Sequence, residues 1–117
     1  MPYIAVHSAK KLSTDEALRL ENGLNEAISL IPGKSQELLL IEIIDGVRMS
    51  RNGNVREDLL YVDVRCFRKA PFKDNKLFTE AVNGVLEDVL DLQEDSVYLT
   101  ITEYDSWGTR GSLKSIE

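Results

Sequence analysis

Two stretches of this chain read in the same order, strand, amphipathic helix, strand. That repetition limits the fold more than any other feature. The copies span about 2–46 and about 58–105. In the first, residues 3–8 alternate, with Ile4 and Val6 on one side and Tyr3, Ala5 and His7 on the other. Ser13-Thr14-Asp15-Glu16 is a capping box, in which Ser13 and Glu16 satisfy each other's backbone N–H groups. Ala17, Leu20, Leu24, Ala27, Ile28 and Ile31 then recur at helical spacing until Pro32-Gly33 ends the helix. A dense apolar strand follows from Glu37 to Asp45.

A polar loop from Val47 to Asp58 separates the copies, with Arg51-Asn52-Gly53-Asn54 as a hairpin tip. The second copy has a strand from Leu59 to Phe67 and a break at Pro71. Its helix runs from about Asp74 to Leu92, with an apolar stripe of Leu77, Phe78, Ala81, Val82, Val85, Val89 and Leu92. A strand from Ser96 to Tyr104 closes it, and the tail beyond Asp105 carries Trp107, Gly108 and Gly111. Each copy is a βαβ unit, whose two strands are expected to be parallel with a right-handed crossover. The fold class is therefore α/β (α+β), with one four-stranded mixed sheet and both helices on one face.

The faces of that sheet differ. Ile4, Val6, Leu39, Ile41, Ile43, Leu60, Val62, Val64, Cys66, Val97, Leu99 and Ile101 form an apolar side for the helices. The other side mixes Leu40, Ile44, Tyr61 and Tyr98 with Glu42, Asp63, Arg65, Thr100 and Thr102. It is too polar for a core and too apolar for a plain wet surface. Burial against other subunits suits it, with Asp63, Arg65 and Glu42 pairing there.

Composition narrows the partners. The 117 residues fit one domain, 1–117. A net charge of −6 argues against nucleic acid and anionic membranes as partners. No stretch approaches the roughly 18–20 apolar residues of a membrane span. No signal peptide is expected, and one Cys with one His suits a reducing cytoplasm and leaves no basis for a His/Cys metal site.

The start of the chain carries the chemistry. Pro2 is a small residue after Met1, so trimming of Met1 is expected. That leaves a secondary amine, a group that titrates at about 7.7–8.0 when unperturbed. Burial or a nearby cation favours its neutral form, a base suited to neutral pH. The alternative is a proline that merely opens a strand.

The chain resembles the tautomerase superfamily, in its branch named for macrophage migration inhibitory factor and the phenylpyruvate tautomerases. The resemblance rests on Met1-Pro2 opening the first strand, Gly33-Lys34 after the first helix, the duplicated βαβ layout, and Asp95-Ser96-Val97-Tyr98-Leu99-Thr100 opening the last long strand. It implies a homotrimer with active sites between subunits, and a cofactor-independent keto–enol tautomerase acting on a small 2-oxo acid. By position it makes Pro2 the general base and Lys34 the carboxylate ligand. Cys66 is implied as a backbone and packing contact, and Tyr98 as a residue supplied by the adjacent subunit.

Thr100 stands where the family pattern has Asn, and keeps one hydrogen bond without the amide fork. Trp107-Gly108-Thr109-Arg110-Gly111 replaces a Gly-Trp-Asn tail, and Trp107 becomes a candidate wall of the site mouth. Arg65 and Arg68 lie where a decarboxylase branch relies on arginines. That keeps open a decarboxylase or hydratase using Pro2, beside a third reading, a non-catalytic ferredoxin-like binding module. Each residue also has a plain alternative: Lys34 as a solvated helix-end residue, Tyr98 as face filler, Arg65 as an ion-pair partner of Asp63 or Glu42, and Trp107 as a packing anchor.

Overall fold

The structure is a computed structural model that describes residues 2–117; the expected loss of Met1 lies outside the described residues. Among the described residues, eight strands and two α-helices follow one another. They are β1 (Pro2–Ser8), α1 (Thr14–Ile28), β2 (Leu40–Ile44), β3 (Ser50–Arg51), β4 (Asn54–Val55), β5 (Leu60–Phe67), α2 (Phe72–Leu90), β6 (Val97–Tyr104), β7 (Ser106–Thr109) and β8 (Ser112–Ser115). Single 3-10 turns precede β2 and β6.

The main sheet has the order β2-β1-β5-β6. Within each βαβ unit the strands are parallel, β1 with β2 and β5 with β6, as the sequence predicts. The units join through antiparallel β1 and β5 at the centre, where Pro2 faces Cys66 and Ser8 faces Leu60. Ile4, Val6, Val62 and Val64 are fully buried beneath Leu20, Leu24 and Ile28 of α1 and Phe78, Val82 and Leu86 of α2. Both helices therefore cover the apolar face.

Local chemistry sets the boundaries. Ser13 caps α1 through its hydroxyl to the Glu16 N–H (3.0 Å), and Glu16 accepts from the Ser13 N–H (2.9 Å). Lys10 and that backbone bond hold the Glu16 carboxyl down to about 2. The expected strand from Glu37 is shorter. Ser35 caps a 3-10 turn at Gln36–Leu38 through the Glu37 N–H, and β2 begins only at Leu40. The polar loop folds back as β3 and β4 around Asn52-Gly53, both at positive φ, the hairpin geometry that Asn-Gly prefers.

Helix α2 starts earlier than expected, because Pro71 sets its first turn. Its stripe also differs. Leu77 is 52% exposed, whereas Leu86 and Leu90 join Phe78 and Val82 in the core. The buried row steps by four residues, and Ala81, Val85 and Val89 turn sideways towards α1. The two helices approach closely at Gly23, where an added Cβ would lie 2.5 Å from Cγ1 of Val85.

The tail forms a second hairpin, β7 with β8, where the sequence marks no element. Arg110 and Gly111 both take positive φ at its turn. Among the described residues, no helix is long and apolar enough to cross a membrane.

The close helix crossing is testable. Gly23→Ala gains about 1 kcal/mol in helix propensity but incurs about 1–3 kcal/mol of overpacking against a stiff β-branched side chain. Thermal unfolding is expected to show Gly23→Ala destabilising in the parent and stabilising in a Val85→Ala background. The same sign in both backgrounds would contradict the packing.

Candidate active site

One end of the central strand pair gathers most of the chemistry. Pro2 is fully buried and lies opposite Cys66, which is 2% exposed. The turn after α1 brings Lys34 to the same place. Pro32 cannot continue a helix, Gly33 takes φ +80°, and the Lys34 N–H closes the turn on the Ile31 carbonyl at 3.1 Å. The Lys34 ammonium then donates to the carbonyl of Phe67, the residue after Cys66, at 2.7 Å. Burial pushes the Cys66 thiol up, against a smaller opposite pull from the Lys34 charge. Cys66 is therefore a protonated packing group, with no character of a nucleophile.

A cleft of about 360 Å³ opens beside this cluster. Gly33, Lys34, Phe67, Arg68, Lys69 and Lys114 line it. Arg68 holds φ +77° at the end of β5, where its N–H donates to the Tyr104 carbonyl at 3.0 Å and its guanidinium lies 5.1 Å from the Phe67 ring centre. Glu103, the nearby carboxylate, accepts from the Ala70 N–H at 2.6 Å and from the Asn75 amide at 3.4 Å. It anchors the loop into α2.

The other candidates lie elsewhere. Arg65 is on the opposite sheet face, where it pairs with Asp63 at 3.0 Å and covers the Tyr3 ring at 5.8 Å. Glu42 takes no part in that pair; it accepts from the Tyr3 hydroxyl at 2.6 Å. Trp107 packs on Tyr104 at 5.9 Å between ring centres. With Tyr3, Leu40 and Arg65 it lines a separate groove of about 500 Å³ on that face.

Tyr98 and Thr100 pair with Tyr61 and Asp63, towards the far end of β5. Tyr61 and Cys66 are five residues apart, roughly 16 Å along a strand. Thr100 bonds the Tyr61 hydroxyl at 2.5 Å, and Tyr98 is 61% exposed beneath the Arg51 guanidinium. One chain thus brings Pro2, Lys34 and Cys66 together, and leaves Arg65, Trp107, Tyr98 and Thr100 apart from them. Sequence reasoning missed Lys114. Its only signal was the Arg110-Gly111 turn that folds the tail back.

No protein-family model matches this chain, and no curated protein sequence matches it. Solved structures do. MIF2 of Leishmania major superposes with a TM-score of 0.88 at 15% identity, over 97% of each chain. A fused 4-OT asymmetric trimer gives 0.84 at 16% identity, over 94% of each chain. The macrophage migration inhibitory factor homologue of Prochlorococcus marinus gives 0.79 at 22% identity, over 95% of this chain and 97% of that one. The resemblance met in the sequence thus extends to three dimensions: the chain has the fold of tautomerase-superfamily structures.

Proposed function

We propose that this protein is a cofactor-independent keto–enol tautomerase of a small, phenylpyruvate-like 2-oxo acid, with Pro2 as general base once Met1 is removed. The observation that carries this reading is the burial of Pro2 opposite Cys66, beside a lysine that reaches the next carbonyl. The prolyl nitrogen takes a proton from C3, the carbon next to the ketone, or from the enol oxygen on C2, and returns it to the other position. Lys34 holds the carboxylate, and its charge disfavours a second positive charge on the amine. The enolate oxygen needs a hydrogen-bond donor as charge develops there.

Tyr98 of an adjacent subunit is the proposed donor, with Thr100 beside it and Trp107 at the mouth. This role requires a second copy, because Tyr98 lies far from Pro2 within one chain. The mixed sheet face, with exposed Leu40 and Tyr98, supports a homotrimer with sites between subunits. Likeness to the fused 4-OT trimer supports the same assembly. In this reading the whole chain works as one unit in the cytoplasm. Arg68 at the cleft favours one second reading, a decarboxylase or hydratase in which Pro2 acts with an arginine; Arg65, paired with Asp63 on the other face, has no such support.

Enol–ketone exchange of phenylpyruvate tests the base. Pro2→Ala is expected to lower kcat by about 10²–10⁴-fold, the usual worth of a positioned general base. Unchanged turnover would remove Pro2 from the chemistry. Lys34→Ala is expected to raise KM more than it lowers kcat, and an unaltered KM would remove Lys34. A native mass that retains Met1 would favour a non-catalytic binding module.

Light scattering is expected to report three chains per particle. A monomer would contradict the shared site.

A further inference from the structure

The net charge of −6 makes a local surplus of cations unusual in this chain. Lys34, Arg68, Lys69 and Lys114 nevertheless meet around one cleft, and among the described residues no carboxylate lines it. Among the described residues, none of the four takes part in an ion pair. Glu103 stands behind the loop and is committed to Ala70 and Asn75.

Two of the cations reach the cleft at a conformational cost. Arg68 occupies left-handed backbone at φ +77°, where a non-glycine side chain is strained. Lys114 arrives because the tail doubles back through Arg110, another non-glycine residue at positive φ, which sets Lys114 opposite Trp107 on β8. One carboxylate needs only one such cation, and Lys34 supplies it. The remainder form a second positive wall facing the same space. That space has Pro32, Ala70 and Pro71 in its walls beside the cations, and its volume admits a small organic acid.

We infer that Lys114, on the terminal hairpin, is a specificity residue which with Arg68 forms a second anion subsite. Among 2-oxo acids, the cleft then binds one with a second anionic group more tightly than one with a single carboxylate. This deepens the tautomerase reading and rests on it for the 2-oxo group. The anion preference itself is independent of catalysis.

Calorimetric titration at fixed ionic strength tests it, with malonate and acetate as non-reacting probes. Malonate is expected to bind at least about tenfold more tightly than acetate, as expected for one added charge-assisted contact. Lys114→Gln is expected to weaken malonate about tenfold more than acetate, and Lys114→Arg to restore the difference. Equal affinities of the two probes, or an equal loss for both in Lys114→Gln, would overturn the inference. Repeating the titration on Pro2→Ala separates the two proposals. A Lys114-dependent malonate preference in a parent protein that itself shows no tautomerase activity refutes the enzymatic reading and upholds the subsite. Phenylpyruvate turnover that depends on Pro2, with no malonate preference, does the reverse.

Discussion

The antiparallel pairing of β1 with β5 sets where every candidate group lies. All seven residues of β1 pair with β5, and five of them, Tyr3 to His7, also pair with β2, so its position in the sheet is fixed. Pro2 therefore cannot slide relative to Cys66 without turning Ile4 and Val6 out of the core, since a one-residue slip reverses both faces. A proline suits this position, because the first residue of a strand is one of the few places in a sheet that tolerate a missing N–H. The same end of β5 presents the Phe67 carbonyl to Lys34 and starts the loop that carries Arg68 and Lys69.

Most of the framework was legible because its signals are periodic. Alternation located the central strands and sorted their faces, and the Ser13–Glu16 capping box located the start of α1. Periodicity failed where packing chose among several apolar residues. Leu77, Leu86 and Leu90 are equally hydrophobic, yet only the last two are buried, because α2 rests on both the sheet and α1. The 3-10 turn at Gln36–Leu38 was hidden for a similar reason: its apolar residues match a strand, and a short-range serine cap overrides them.

The tail was the least legible part. Both strands of its hairpin are largely polar, and Leu113 is 73% exposed, so no apolar alternation marks them. Its turn uses Arg110 in place of the usual Asn or Asp. Lys114 was invisible to sequence reasoning on that account. Pro2, Lys34 and Cys66 were legible through the resemblance, and the fold brings them to one end of the sheet. Arg65 pairs with Asp63, as its plain alternative has it, and that carboxylate holds the guanidinium charged. Tyr98 and Thr100 stand in the first half of β6, away from Pro2 within one chain.

In the proposed function the Met1-trimmed Pro2 amine lies buried opposite Cys66 with Lys34 near by, and burial and a neighbouring cation both favour its neutral form. Nitrogen NMR of the ¹⁵N-proline-labelled native protein, followed through a pH titration, measures that most directly. A free Pro2 amine that titrates below the usual α-amino range of about 7.7–8.0 is the predicted result. An amine that titrates within that range, or a Pro2 nitrogen still held in a peptide bond, would contradict the central claim.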